Sequence, residues 1–378
     1  MKVMIVVTHL LGTGHLARAL TLARAYQAAG HHVRVASGGM PAPHLDRGDV
    51  SMVQLPPLRS DGVDFTRLLN TSGELADAAY MGQRQAQLLA MLTDPPEVLI
   101  TELFPFGRRI LRDEFTALLD AARALPRRPL VCASIRDILA PPSKPAKAAL
   151  AETLIARHYD AVLVHADAAV TPLDLSWPVT PQLAEKLHYT GFVAAPPSGP
   201  HPQGVGRDEI IVSAGGGDVG AALFEAAIAA ATMDTTRRWR LLLGGADAAQ
   251  RANERGAQAP ENMMIEPARP DFRQMLYGAS VSVSLCGYNT ALDVLQSGCR
   301  AVFVPYDAGN EVEQGIRADA LAKQPDITVL RNADLTSETL LGAVDQVQRA
   351  PARVAMQRGW DGAARTVEVT TELRERMA

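Results

Sequence analysis

"VMIVVTHLLGTGHLARALTLARAYQAAGHHVRVASGG", residues 3–39, runs from an apolar stretch through a glycine loop into a helical pattern, and out into a second strand-like stretch. The uninterrupted apolar run Val3 to Val7 suits a strand buried on both faces. From about Leu16 to Ala29 the pattern is helical, and "HHVRVAS" returns to a strand. Strand, glycine loop, helix and strand make one βαβ unit of a parallel sheet. The loop Gly12-Thr13-Gly14-His15 is its functional end.

That loop fits the dinucleotide pattern G-x-G-x-x-G/A as "GTGHLA". A nicotinamide or flavin cradle also needs an acidic residue about 20 positions on, at the end of the second strand, to hold the ribose. Here that strand ends in Ser37-Gly38-Gly39, without Asp or Glu, so a redox enzyme is disfavoured. What remains is a tight turn feeding a helix N-terminus, whose amides and dipole favour a phosphate or another oxyanion. His15 opens that helix as a candidate for catalysis or anion contact; capping the turn is the plainer alternative.

The same alternation continues along the chain. "EVLITE", "PLVCASI" and "YDAVLVH" follow with helical segments between them. After Arg207 a second series begins: "EIIVSAGG", "WRLLLGG", "MMIEP", "VSVSLCG", "RAVFVPY" and "ITVLR". Between them lies "GFVAAPPSGPHPQGVGR", the best linker candidate. Two doubly wound α/β domains in tandem are predicted, with ligands beyond the carboxyl ends of the strands in a cleft. At 378 residues, two domains is also the expectation from length.

Composition narrows the partners. Hydrophobic residues make up 47% and charged ones 21%, ordinary for a globular chain with a core, and a net charge of −4 argues against nucleic acid. Cys132, Cys286 and Cys299 form no CxxC pair and read as idle thiols in a reducing compartment. The first apolar run is broken by Thr8 and His9 and has no cleavage site, so it reads as a strand and not a signal peptide. No run of about 18 apolar residues is present, and a cytoplasmic protein is expected. No His/Asp/Glu cluster has metal-ligand spacing, so neither a metal nor another cofactor is expected.

The most specific stretch is "SVSLCGYNTALDVLQSGCRAVFVPYDAGNEVEQGIRADALAK", residues 282–323. Gly287-Tyr288-Asn289-Thr290 opens a helix whose free amides suit a diphosphate. Asp293, one turn on, is placed to reach ribose hydroxyls, and Glu313 and Gln314 open the next helix with groups that accept from and donate to sugar hydroxyls. Together these features make chemical sense for a sugar nucleotide.

This arrangement resembles the nucleotide-sugar glycosyltransferases of the GT-B fold, specifically family 28, the MurG-like enzymes, and within them a bacterial branch of predicted glycosyltransferases. "TELFPFGRR", "SIRD", "LVHAD", "GYNTALD" and "EVEQ" carry the likeness, which covers nearly the whole chain and is strongest from Gly287 to Gln314. The resemblance implies a GT-B fold, two Rossmann-like doubly wound domains facing across a cleft. It assigns residues 1–193 to an acceptor domain and 206–357 to a donor domain, with a last helix at about 358–378 packing back on the first. It implies that Gly215, Gly216 and Gly217 face the donor diphosphate. Asp293 stands where the family has a glutamate on the ribose, and Glu313 and Gln314 replace a Gln-Gln pair that reads the sugar. Arg269 lies near the segment whose backbone reads uracil. Gly12, Thr13, Gly14 and His15 face the acceptor.

An inverting transfer needs a base for the acceptor proton and a stabiliser for the leaving diphosphate. His15, with an ordinary pKa of about 6.5, and Glu102, at the end of an apolar strand, are the two candidates for the base; Asp137 is a weaker third. Arg108, Arg109, Arg112, Arg127 and Arg128 make the first half locally basic. They read as a solvated face, or as contacts to an anionic acceptor or the inner membrane surface, with Arg108 the acceptor-site candidate. The expected activity is metal-independent, inverting transfer from a UDP-sugar to a small-molecule or lipid-linked acceptor. A UDP-sugar hydrolase on the same scaffold and a non-catalytic sugar-nucleotide-binding protein are the alternatives.

Overall fold

A computed structural model describes residues 1–10, 12–43, 45–61, 67–215, 219–245, 247–308 and 311–377. They form two compact units, 1–194 with 359–378, and 195–358.

In the first unit, β1 (Lys2–Val7), α1 (Gly14–Ala28) and β2 (His32–Gly39) form the opening βαβ unit. They are followed by β3 (Ser51–Ser60), β4 (Leu68–Leu69), α2 (Ala78–Ala90), β5 (Val98–Glu102), α3 (Arg112–Arg123) and β6 (Leu130–Arg136). Then come α4 (Pro145–His158), β7 (Ala161–His165), α5 (Pro181–Ala184) and β8 (Leu187–Tyr189). Among the described residues the strands order as β4-β3-β2-β1-β5-β6-β7-β8, parallel except for the β3–β4 pair. β1 pairs with β2 on one side and β5 on the other, so strand order reverses there. Ligands of open α/β sheets sit beyond the carboxyl ends at such a point.

β3 is a strand that the apolar pattern does not announce, because "QLPPL" carries two prolines and a proline cannot donate to a ladder. The structure accommodates them with a bulge: register against β2 shifts between Ser37 and Gly39, whose partners are Gln54 and Leu58. The carbonyls freed by the bulge are met by a side chain. Arg84, fully buried on α2, donates to the carbonyls of Gly38, at 2.9 Å, and Pro56. Its charge is paired with Glu114 of α3 through two bonds of 2.9 and 3.0 Å. The glycine at the end of β2 follows from this packing: a Cβ on Gly38 would stand 2.2 Å from Thr8 Oγ1 and 2.6 Å from Arg84 Nη2.

The second unit holds β9 (Glu209–Ser213), α6 (Ala221–Met233), β10 (Arg238–Leu243), α7 (Ala248–Gly256), β11 (Met263–Pro267) and α8 (Phe272–Met275). It continues with β12 (Val281–Ser284), α9 (Tyr288–Ser297), β13 (Ala301–Phe303), α10 (Glu313–Leu321), β14 (Ile327–Val329) and α11 (Ser337–Arg349). Its sheet, β11-β10-β9-β12-β13-β14, is parallel throughout, with the reversal at β9. Val212, Trp239, Leu241, Val283 and Val302 pack with Phe224 of α6 and Val344 of α11 into its core. Much of the linker-like stretch is tied to this unit. His201 Nε2 lies 3.0 Å from Asp271 Oδ2, and Arg273 donates to the carbonyls of Ala195 and Pro196.

The chain then returns to the first unit as α12 (Gly362–Glu375), which lies against α1. Val367 and Val369 join the core that holds Val3, Ile5, Leu20 and Val35. The buried hydroxyls of Tyr26 and Thr370 are 2.7 Å apart.

Breaking a buried ion pair from one side leaves an uncompensated charge and costs about 3–5 kcal/mol. Glu114→Ala is therefore expected to speed amide exchange in β1, β2 and β5 by roughly 10²- to 10³-fold, read by mass spectrometry. A change of less than about tenfold would show that Arg84 does not depend on its partner.

Candidate functional site

Each unit carries its own cluster of functional groups at the carboxyl ends of its central strands. In the first, the loop after β1 leads into α1, whose second residue is His15, while Glu102 ends the neighbouring strand β5. His15 Nδ1 lies 2.8 Å from Glu102 Oε1. Arg18, one turn along α1, donates to the same oxygen, and Ser134 Oγ donates to Oε2 at 2.6 Å. Arg18 Nη2 is also 3.1 Å from His15 Nδ1. A carboxylate only accepts, so Nδ1 carries the proton toward Glu102 and cannot also accept from Arg18. The second ring nitrogen, Nε2, meets none of the described residues, and the His15 side chain keeps 16% of its surface open.

Burial lowers the pKa of His15, and Arg18 and Arg108 push the same way; the bond and charge of Glu102 restore only part, leaving it at about 4. The ring is therefore neutral at neutral pH. Burial acts against the Glu102 carboxylate, but the charge of Arg18 and the bonds from His15 and Arg18 outweigh it and hold the group well below the usual range. Of the two candidate bases, Glu102 is 2% exposed with both oxygens occupied, so the geometry makes it the partner that orients His15. Asp137 is buried.

Arg108 stands beside this pair and donates Nε to the Thr8 carbonyl at 2.5 Å. Burial pulls its pKa down to about 10 against the charge of Glu102, which leaves it cationic at neutral pH. Gly12 has φ of 59°, and a Cβ on Gly12 or Gly14 would meet nothing, so the loop is open to a ligand. Thr13 stands at the N-cap of α1, and its side chain does not bond the amides of that first turn. A cavity of about 310 Å³ adjoins the loop, lined by His9, Leu10, Gly12, Thr13, Met40 and Arg59 among others. Of the other basic residues, Arg128 is held by Asp160 at 3.0 Å and Arg109 donates to the Phe106 carbonyl, while Arg112 and Arg127 are exposed.

In the second unit, Gly215 follows β9 and Gly287 follows the adjacent β12. Gly216 and Gly217 lie outside the described residues. Gly287 caps α9 without a side-chain bond, so the amides of Asn289 and Thr290 have no partner among the described residues. The Tyr288 ring stacks under the guanidinium of Arg317, at 5.8 Å, and Arg317 Nη1 donates to the Cys286 carbonyl at 3.0 Å. A buried cation thus backs the loop where an anion is expected.

Four other donor-site candidates are engaged within the unit. Arg269 forks onto Asp271 at 2.8 and 2.7 Å and reaches Glu266 at 3.4 Å, so its side chain serves the local structure. Asp293 Oδ1 accepts from Arg273 at 2.8 Å, leaving Oδ2 as the oxygen available to a ribose. Burial raises the Asp293 pKa to about 6 despite Arg273. Gln314 Oε1 accepts from the Tyr306 amide at 3.2 Å, which leaves its amino group to donate. The amides of Glu313 and Gln314 are both taken by the Glu311 carboxylate, at 2.8 and 3.2 Å.

The sequence reading did not select Arg18, Ser134, His165, Glu311 or Arg317. Ser134 and His165 were visible as polar residues near the ends of the apolar runs "LVCASIR" and "AVLVH". Among the described residues no three His, Cys, Asp or Glu side chains converge to hold a metal ion, and no helix is long and apolar enough to cross a membrane.

Residues 13–182 match the Glycosyl transferase 4-like domain, and residues 211–365 match the Glycosyltransferase family 28 C-terminal domain. The chain belongs to the GT-B glycosyltransferases. No curated protein matches it in sequence. Its fold is similar to MurG of Acinetobacter baumannii, with a TM-score of 0.63 and 16% identity over 98% of this chain and 100% of that one. It is also similar to the glycosyltransferase SnogD from Streptomyces nogalater, with a TM-score of 0.61 and 19% identity over 99% of each chain. The glycosyltransferase VinC, solved in complex with dTDP, aligns over the full length of both chains with a TM-score of 0.59 and 15% identity. These identities speak for the fold alone.

The buried histidines of this glycosyltransferase tie its stability to pH. His165, fully buried, is driven down to about 3 by burial. A histidine depressed in the folded state contributes stability that is fully present above its unfolded pKa of about 6.5 and is lost as pH falls through the folded value. The first unit is therefore expected to lose stability progressively as pH falls from about 6.5 toward 4. In urea titrations across that window, His165→Gln should flatten the pH slope by about 1.4 kcal/mol per pH unit, the value for one proton. An unchanged slope would mean that His165 is protonated in the folded chain.

Proposed function

We propose that this glycosyltransferase moves a hexosyl group from a UDP-sugar to a hydroxyl acceptor with inversion. The observation that carries the proposal is the neutral His15 ring, held by Glu102 through Nδ1, with Nε2 left for a proton. As the acceptor oxygen bonds to the anomeric carbon, its proton passes to His15 Nε2. The imidazolium so formed is stabilised by Glu102. The bond from the anomeric carbon to the diphosphate oxygen breaks, and the electron pair leaves with the diphosphate. The open amides at the start of α9, backed by Arg317, would receive that charge. Asp293 Oδ2 suits the ribose, and the Gln314 amino group suits a sugar hydroxyl. In this reading the acceptor binds at the Gly12–Gly14 loop, supported by the adjoining cavity, and nearby Arg108 favours an acceptor carrying an anionic group, free or lipid-linked. With the diphosphate met by peptide amides, the reading requires no metal ion.

Purified protein should be incubated with a panel of UDP- and dTDP-sugars and an acceptor extract, and the products followed by mass spectrometry. The expected result is a new glycoside from a UDP-sugar, undiminished by EDTA. His15→Ala should lower kcat by about 10²- to 10⁴-fold with donor affinity little changed. Because the base titrates at about 4, kcat/KM should hold level from pH 7 down to about 5 and fall only below that. Free sugar released at the same rate without acceptor would assign a hydrolase. Tight donor binding without turnover would assign a sugar-nucleotide-binding protein.

A further inference from the structure

The Glu102 carboxylate is one end of a longer buried chain of hydrogen bonds. Its Oε2 accepts from Ser134 Oγ at 2.6 Å, Ser134 Oγ is 2.9 Å from His165 Nε2, and His165 Nδ1 is 2.8 Å from Thr190 Oγ1. Ser134, His165 and Thr190 are each no more than 2% exposed. The chain crosses the carboxyl edge of the sheet. Glu102 of β5 is the register partner of Ser134 on β6, His165 ends β7, and Thr190 directly follows β8.

Counting protons fixes the direction of every link. Glu102 is ionised and can only accept, so the single Ser134 proton lies on Oε2. His165 Nε2 must then be a donor toward Ser134 Oγ. Burial keeps the His165 ring neutral, so its Nδ1 is bare and accepts the Thr190 hydroxyl proton. The alternatives for that hydroxyl, the Gly191 and Val164 carbonyls at 3.2 and 3.5 Å, are longer. All donors therefore point one way, from Thr190 through His165 and Ser134 to Glu102. On its other oxygen Glu102 accepts from Arg18 and from His15 Nδ1.

We propose that Ser134, His165 and Thr190 form a positioning relay that locks the Glu102 carboxylate in place and so fixes the His15 proton on Nδ1, leaving Nε2 as the proton acceptor. The role assigned to Nε2 rests on the transfer reading above; the lock on the tautomer does not. A rotating carboxylate would let the His15 proton move to Nε2, and the ring would then present a donor where an acceptor is needed. The charged and titratable groups that face His15 are Glu102 from β5, Arg18 from α1 and Arg108 from the segment after β5. His165 feels Arg18 and Glu102.

The test uses the full chain without ligand, labelled with ¹⁵N-histidine, and the His15 signals are assigned by their loss in His15→Gln. At pH 7 the wild type should show His15 as the Nδ1–H tautomer alone. Ser134→Ala should give a mixture of tautomers, with the Nε2–H form visible beside the Nδ1–H form. His165→Phe, which leaves Ser134 Oγ without its donor, should act in the same direction but less. His165→Gln, which keeps an N–H to offer Ser134, should restore the wild-type tautomer. A His15 tautomer that does not move in Ser134→Ala and His165→Phe, in folded protein, would overturn the relay and leave these residues as packing. Should Ser134→Ala not fold, the His165 pair decides alone. None of these readings needs turnover, so a failure of the relay is distinct from a failure to transfer sugar.

Discussion

Burying an ionised carboxylate costs several kcal/mol unless opposite charge and hydrogen bonds replace its water, and Glu102 is only 2% exposed. Arg18, His15 and Ser134 supply that replacement. Each is constrained in turn. Arg18 and His15 must stand one helical turn apart on α1, and α1 must begin where β1 ends. Ser134 must lie opposite Glu102 in the register of β5 and β6. The loop, the helix and two strands are thus tied to one another through a group that would be unstable without them. The same arrangement keeps His15 uncharged. A carboxylate alone would raise the pKa of the ring, but shared with Arg18 in a buried setting it orients the imidazole without charging it.

The second unit solves a different problem with backbone groups. Its candidate groups surround a place for negative charge, and the positive ends are open amides at the start of α9 with Arg317 behind them. α10 is treated in the opposite way: Glu311 takes the amides of Glu313 and Gln314, so that helix offers side chains and not peptide nitrogens. Two neighbouring helices of one parallel sheet therefore present different chemistry, one suited to an oxyanion and the other to hydroxyls. This division matches a ligand that is charged at one end and a sugar at the other.

Most of the architecture was legible because parallel strands buried on both faces leave continuous apolar runs, and these punctuate the chain from Val3 to Val329. β3 was not, since Pro56 and Pro57 contradict a ladder, and the carbonyls at its bulge are met by Gln54 and by the distant Arg84. The candidate loops could be located because glycine turns and helix starts are local features. His15 and Glu102 could each be picked out as candidates, but their pairing could not, being 87 positions apart. The relay was hidden for the same reason. Ser134 and His165 look like stray polar residues in strands until register sets them beside Glu102. Nor does the sequence show which charged residues are committed elsewhere, as Arg269 is to Asp271.

The first unit is made from two pieces of chain separated by the whole of the second. Its last piece, α12, contributes Val367 and Val369 to the core and the hydroxyl that meets Tyr26. During synthesis the ribosome releases every residue of the second unit before this helix emerges. The second unit is therefore free to mature first, while the earlier piece of the first unit waits with an apolar face uncovered until α12 emerges. A nascent glycosyltransferase of this design exposes the first piece of its divided unit to chaperones longer than its continuous unit, although that piece is made first.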